Sequence, residues 1–127
     1  MGMMRLLGID YGLVKVGLAL ADDGFAQPLR VIANNSRLLG KIIKICQANQ
    51  IEKIVVGLPE GKIAKKVRKF AQKLSQATTL PIDFQDETLT SKEAIIKMIE
   101  GGRKRKARQE KEDAIAAALI LESYLDV

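Results

Sequence analysis

The sequence contains no histidine and no tryptophan, and it has one cysteine among its 127 residues. The lack of histidine excludes Ser–His and Cys–His nucleophile pairs, histidine-ligated metals and the usual general base. The single cysteine, Cys46, excludes an internal disulfide and a multi-cysteine zinc site. It recurs at helical spacing with Leu39 and Ile42, which favours core packing over chemistry. An enzyme of this composition must therefore use carboxylates, working through a hard metal ion.

Aromatic side chains are also scarce, at 4% of residues, whereas apolar residues make up 47%. These values predict a folded protein with an aliphatic core, of the kind formed by a sheet covered with helices. At this length we expect one domain, spanning residues 1–127. The sequence has neither an apolar run of membrane-spanning length nor a signal peptide, so we expect a cytoplasmic protein with no membrane partner.

The formal net charge is +6, which favours a polyanionic partner such as nucleic acid. One basic group lies on a predicted helix, where Lys65 and Lys69 share a stripe opposite the apolar face. Such a stripe is commonly only a solvated surface. The second group lies in a predicted loop before the last helix, and its density favours phosphate contact because like charges repel without an anion. The candidates for nucleic-acid contact are Lys15, Lys65, Lys69, Arg103, Lys104, Arg105 and Arg108.

The chain begins with a predicted hairpin. Apolar runs over residues 4–9 and 14–21 read as buried strands, and the short segment between them carries Asp10. The carboxylate of Asp10 is expected at the rim of the core, and Gly8 and Gly12 would let a bulky polyanion approach the backbone. The competing interpretation is that Asp10 only closes the hairpin turn, since Asp before Gly is common there.

The rest of the chain alternates between helix and strand patterns. A third strand follows the hairpin directly, and crossover helices then connect two further strands, which predicts an α/β protein with a mixed five-stranded sheet. This sheet combines a three-strand antiparallel meander with two parallel strands and has helices on both faces, as in the ribonuclease H-like fold. The first strand is expected at the centre, beside the fourth. The predicted strands are 28–33, 53–58 and 80–85, and the predicted helices are 37–49 with a Ser36 cap, 62–77, 90–100 and 109–125.

Further acids fall where this sheet would bring them towards Asp10. Asp86 and Glu87 follow the fifth predicted strand, and Asp113 lies at helical spacing from Ala117 on the inward face of the last helix. Each acid could instead only stabilise a nearby helix N-terminus. A carboxylate cluster repels itself unless a cation lies within it, and Mg²⁺ prefers such oxygen ligands. Two such ions can support phosphodiester hydrolysis without histidine.

Six segments resemble the YqgF family, also called RuvX: GIDYG with VKVGLALAD, VVGLP, VRKFAQKL, DETLTSKEA and EDAIAAALILESYL. These are Holliday-junction-resolvase-like proteins of the ribonuclease H superfamily, regarded as pre-16S rRNA nucleases. The resemblance implies Mg²⁺- or Mn²⁺-dependent endonucleolytic cleavage of structured nucleic acid, with 5′-end maturation of 16S rRNA as the cellular task and Holliday-junction resolution as the alternative. By position, it implies that Asp10, Glu87 and Asp113 are catalytic metal ligands, with Asp86 able to support or replace Glu87.

The sequence departs from the family pattern at two places. The family carries Asn-Met-Asp-Gly and then Ser or Thr after the GLP motif, whereas here Pro59 is followed by Glu60, Gly61 and the basic helix. Thr88 stands where the family usually has arginine. Both departures favour a competing interpretation, a non-catalytic nucleic-acid-binding protein of the same fold. The ATP-binding relatives of this fold use two such domains, which one short chain does not supply, and both a monomer and a homodimer are compatible with the sequence.

Overall fold

The computed structural model describes residues 4–22, 24–87 and 105–125, and for residues 105–112 it describes the backbone only. The helix expected over residues 90–100 lies outside the described residues. No helix in the described ranges combines the length and apolar character needed to cross a bilayer. The elements in chain order are β1 (Leu6–Tyr11), β2 (Lys15–Asp22), β3 (Phe25–Ala33), α1 (Leu38–Ala48), β4 (Lys53–Leu58), α2 (Ile63–Ala77), β5 (Ile82–Asp86) and α3 (Arg105–Leu125).

The strands form one sheet in the order β3-β2-β1-β4-β5. The pairs β1–β2 and β2–β3 are antiparallel, whereas β1–β4 and β4–β5 are parallel. The predicted mixed sheet, with its central first strand beside the fourth, is confirmed. Because β1, β4 and β5 run in the same direction, their carboxyl ends meet at one edge, which we call the carboxyl edge.

Helices cover both faces of the sheet, as predicted. Leu7 and Ile9 of β1 and Val56 of β4 belong to the apolar core under α1 and α2. The alternate residues face the other way, so that Leu6 and Val55 pack with α3 in a second apolar cluster. A residue's position along β1 or β4 therefore decides which helical layer its side chain meets.

Helix α3 lies unusually close to the sheet. A Cβ atom at Gly8 would lie 2.5 Å from Cγ of Leu121 and 2.8 Å from the carbonyl oxygen of Ala117. The prediction that Gly8 admits a ligand is thus wrong, because this glycine admits the helix. The buried alanines of α3, among them Ala114 and Ala118, allow the same close approach from the other side.

The carboxyl end of α3 is held by a polar cluster. The hydroxyl of Tyr124 donates to Oδ2 of Asp83 at 2.5 Å, and Nζ of Lys53 lies 2.9 Å from the same oxygen. The Lys53 ammonium also lies over the Tyr124 ring, 5.5 Å from its centroid. These hydrogen bonds and the Lys53 ammonium hold the pKa of Asp83 below its usual value. The cluster ties α3 to both β4 and β5.

Several predicted boundaries of the elements differ from the structure. Strand β3 begins at Phe25 rather than at residue 28, and β5 spans Ile82–Asp86 rather than 80–85. Ser36 does not cap α1, because Oδ1 of Asn35 accepts the backbone N–H of Arg37 at 2.9 Å instead. These differences leave the order and the type of the described elements unchanged.

The last helix begins earlier than predicted. It starts at Arg105 rather than at residue 109, so Arg105 and Arg108 belong to α3 and not to the loop in which they were expected. Lys, Arg, Ala, Gln and Glu all have high helix propensity, which explains why this charged segment extends the helix without an apolar face. Arg103 and Lys104 lie outside the described residues.

Candidate active site

Asp10 lies inside β1 and is not a turn residue. It pairs with Gly17 of β2, and one further pair follows before the turn. The interpretation that Asp10 only closes the hairpin is therefore wrong. Side chains alternate along a strand, so Asp10 points to the same face as Gly8, which packs against α3. Its carboxyl group is thus directed into the space between the carboxyl edge and α3.

Glycines occupy the positions on both sides of Asp10. Gly17 is its partner on β2, and Gly57 lies alongside it on β4, one residue beyond the Ile9–Val56 pair. A Cβ atom at Gly17 would collide with the backbone oxygen of Asp113. One at Gly57 would lie 2.3 Å from Cδ1 of Ile120 on α3 and 3.0 Å from Cγ of Glu87.

The missing side chains therefore let α3 pack closely over the sheet and leave room for Glu87 beside Asp10. The sequence analysis missed the role of Gly17 and Gly57, although a glycine inside a strand signals close approach by another group.

Glu87 and Asp113 are both close enough to Asp10 to raise the pKa of its carboxyl group. Burial raises the pKa of Asp10 to about 9, helped by a hydrogen bond to Glu87 and by the negative charges of Glu87 and Asp113. With this raised pKa, Asp10 is protonated at neutral pH. The backbone N–H of Glu87 donates to the carbonyl of Leu58 at 3.0 Å, which fixes Glu87 at the end of β4.

Asp113 acts on Asp10 through its charge. The backbone of Asp113 crosses Gly17, and its side chain is half-buried at the inner face of α3. In the ranges that the structure describes, no three His, Cys, Asp or Glu side chains are arranged to hold a metal ion as they stand. Mg²⁺ nevertheless needs only one or two protein carboxylates, together with water and substrate phosphates. The Asp10–Glu87 pair supplies that donor set, and Asp113 adds negative charge.

Asp86 differs from Glu87 in its orientation. It is the last residue of β5 and pairs with Leu58, whereas Gln85 pairs with Gly57. Alternation along β5 directs Asp86 to the face covered by α1 and α2, away from Asp10. The geometry therefore favours Glu87 over Asp86 as the acid that the end of β5 contributes to the site.

The basic candidates divide between the two layers. Lys15 is exposed at the start of β2 and lies two residues before Gly17, on the same face as Asp10. Lys65 and Lys69 are exposed on α2, which covers the opposite face. Their helix nevertheless begins at the carboxyl edge, because only residues 59–62 connect β4 to α2, with a turn at Gly61 (φ 88°).

The start of α3 also belongs to this region. Arg105 lies eight residues before Asp113 on the same helix. The basic end of α3 therefore begins about 12 Å from Asp113 along the helix axis.

The order and the directions of the strands define a ribonuclease H-like fold, and two solved structures share it. A Thermus thermophilus RuvC in complex with a Holliday junction substrate superposes with a TM-score of 0.63 at 19% identity, over 98% of this chain and 96% of that one. A fowlpox virus resolvase in complex with Holliday junction DNA gives a TM-score of 0.60 at 13% identity, over 97% of each chain.

The sequence comparisons define the family more narrowly. A family model described as "RuvX: Holliday junction resolvase" matches residues 4–127. A Rickettsia typhi protein named "Putative pre-16S rRNA nuclease" is 41% identical in an alignment 131 residues long, gaps included. The alignment covers 95% of this chain and 84% of that protein. A Syntrophomonas wolfei protein of the same name is 38% identical in an alignment 133 residues long. The alignment covers 97% of this chain and 94% of that protein. The chain belongs to the RuvX family, a family of hydrolases that act on nucleic acid.

Proposed function

We propose that this protein is a Mg²⁺- or Mn²⁺-dependent endonuclease that hydrolyses phosphodiester bonds of structured nucleic acid. The observation that carries the proposal is the contact between Asp10 and Glu87, with the charge of Asp113 beside it. Three acids on β1, on α3 and after β5 converge although the chain separates them by 26 residues or more. Gly57, which lies alongside Asp10 on β4, leaves room for the side chain of Glu87 as well as for Ile120 of α3.

The proposed chemistry assigns a role to each group. Divalent ions bound at these carboxylates would supply an activated water and stabilise the leaving oxygen. Asp10 and Glu87 would hold the ions once Asp10 has lost its proton, since a protonated carboxyl is a poor ligand. Asp113, on the helix that closes over the sheet, would complete the negative site. Asp86 points elsewhere and is the weaker candidate.

The substrate we propose is the precursor of 16S rRNA, cleaved during maturation of its 5′ end. The names of the Rickettsia typhi and Syntrophomonas wolfei relatives support this choice. A second candidate is a Holliday junction, which the description of the family model favours. The net charge of +6 and the exposed Lys15 suit either polyanion, because phosphate contacts carry no sequence information. Processing of ribosomal RNA would place the protein in the cytoplasm.

The experiment compares cleavage of a labelled 16S rRNA precursor with cleavage of a four-way DNA junction, in Mg²⁺ and in Mn²⁺. The wild-type protein and Asp113→Asn are tested side by side, and circular dichroism checks that both are folded. We expect metal-dependent cleavage by the wild type and its loss in the variant, with the preferred substrate settling the choice between RNA and DNA. If neither substrate is cut but both are bound, the protein is a binding protein of the same fold.

A further inference from the structure

The tip of the β1–β2 hairpin exposes two neighbouring aliphatic side chains. Leu13 is 56% exposed and Val14 is 75% exposed. Hairpin turns usually carry Gly, Asn, Asp or Ser, which cost nothing in contact with water. Isolated exposed apolar residues need no explanation, but these two occupy adjacent positions at the tip of a single turn.

This tip is held in one conformation. The backbone N–H of Asn34 donates to the carbonyl of Val14 at 2.9 Å, and Nδ2 of Asn34 donates to the carbonyl of Gly12 at 2.7 Å. A Cβ atom at Gly12 would lie 2.5 Å from the carbonyl oxygen of Lys15, so the turn is tight and requires glycine. Asn34 therefore fixes the backbone on both sides of Leu13, and the exposure of the tip is built into the fold.

The tip lies beside the acidic site. Leu13 follows Asp10 by three residues, which limits their separation to about 10–11 Å along an extended chain. The exposed Lys15 comes directly after the tip. A surface recess of about 300 Å³, lined by Lys15, Val31, Ile32 and Ala33, continues from it along β2 and β3.

We infer that Leu13 and Val14 form an apolar wedge that packs against the base and sugar of a nucleotide within a few steps of the cleaved phosphate. Apolar side chains that enter between bases partly unstack them and bend the duplex, which suits an enzyme acting on structured nucleic acid. Lys15 contacts the phosphate next to that nucleotide, and the recess beside it receives the displaced strand. The inference rests on the proposed nuclease function and adds to it the part of the site that recognises substrate structure.

The test uses the double variant Leu13→Ser/Val14→Ser in the full chain. We expect KM for the cleaved substrate to rise about tenfold with kcat changed less than about twofold, because the wedge binds substrate and does not touch the reacting atoms. A 2-aminopurine placed next to the cleavage site reports unstacking. Its fluorescence should rise when the wild type binds and stay low with the double variant. The conservative single variant Leu13→Met should retain the rise.

Phe25→Ser is the matched control, since Phe25 is 73% exposed at the opposite edge of the sheet. It should leave KM and the 2-aminopurine signal at wild-type values. If the wild type cleaves and the double variant retains both its KM and the fluorescence rise, the wedge is wrong and the nuclease function stands. If the wild type neither binds nor cleaves nucleic acid, the proposed function fails and the wedge fails with it.

Discussion

The carboxyl groups of Asp10 and Glu87 are hydrogen-bonded to each other across Gly57, the residue of β4 that lies between them and carries no side chain. Burial of Asp10 and this contact with Glu87 together raise the pKa of Asp10. It also joins the first strand of the chain to the residue after the fifth strand. Two acids that repel when ionised are held together by the fold, which is the arrangement expected where a cation is to be bound.

Asp10→Asn should abolish metal-dependent cleavage, by at least about a hundredfold, and should stabilise the protein when divalent ions are removed. The amide keeps the shape and hydrogen-bonding capacity of the protonated acid but does not have to take up a proton on folding, so we expect about 1–3 kcal/mol of added unfolding free energy. Cleavage assays and urea unfolding in EDTA measure the two effects.

Asp22→Asn is the matched control for this prediction. Oδ2 of Asp22 accepts from Nη1 of Arg5 at 2.7 Å on the same sheet, at the edge opposite the acids. Loss of this ion pair should lower the unfolding free energy by about 1 kcal/mol or less, because the pair is partly exposed. The substitution should leave cleavage unchanged. Equal effects of the two substitutions on cleavage would argue against a special role for Asp10.

The unfolding free energy without divalent ions should fall as pH rises from about 4 to about 9. The pKa of an unfolded aspartate is about 3.9, whereas that of Asp10 in the folded protein is about 9. Between these values the folded state holds one proton more than the unfolded state, so raising the pH favours unfolding, by at most about 1.4 kcal/mol per pH unit. Urea titrations across this range measure the slope.

Asp10→Asn should flatten this slope, which separates the site from other titrating groups. Asp83 has the opposite behaviour: its lowered pKa gives stability that is present above about pH 4 and is lost only on further acidification. A slope that survives in Asp10→Asn would show that Asp10 is not the group responsible.

Gly17→Ala should destabilise the protein by about 2–4 kcal/mol and strongly reduce cleavage. The added methyl group would collide with the backbone of Asp113 and force α3 away from the sheet. Gly40→Ala is the control, because nothing lies within 4 Å of a Cβ at this α1 position, where alanine should stabilise the helix by about 0.5–1 kcal/mol. Unchanged stability in Gly17→Ala would contradict the close packing of α3.

Tyr124→Phe should cost about 1 kcal/mol of unfolding free energy, because it removes the hydrogen bond to a partly exposed carboxylate, Asp83. The ring beneath the Lys53 ammonium remains, so the substitution isolates the hydroxyl. Amide hydrogen exchange at the carboxyl end of α3 should become faster. Exchange that is unchanged there would show that the cluster does not anchor the helix.

The salt dependence of substrate binding tests the basic residues. Lys15→Ala should reduce the slope of log K against log salt concentration by about 1, and the double variant Lys65→Ala/Lys69→Ala by about 2, if each lysine contacts a phosphate. Lys44→Ala, exposed on the neighbouring α1, serves as the control and should leave the slope unchanged. An unchanged slope for the α2 pair would assign Lys65 and Lys69 to a solvated surface.

The sequence predicts the order of the described elements because their apolar patterns are strong. The continuous run at β4 and the helical stripe of α2 give both their type and their layer. The first part of β3 carries no such pattern, since Phe25 and Gln27 are exposed, and it forms only because it pairs with β2. Tertiary pairing of this kind is not encoded in local alternation.

The approximate grouping of the acids could also be predicted, but not how they come close. Asp10 was assigned to a turn segment because a single chain does not show where a strand's last pairs form. Gly17 and Gly57 lie beside Asp10 because of the register of β1 with β2 and β4, which only the folded sheet defines. The orientation of Asp86 away from the site follows from the same register.

The proposed metal site is tested most directly by calorimetry of Mn²⁺ binding to the wild type and to Asp10→Asn, Glu87→Gln and Asp113→Asn. We expect the wild type to bind Mn²⁺ and to release a proton as it does so, since Asp10 must give up its proton. Binding should weaken at least about tenfold in each variant, and proton release should disappear in Asp10→Asn. Wild-type affinity in all three variants would contradict the carboxylate site.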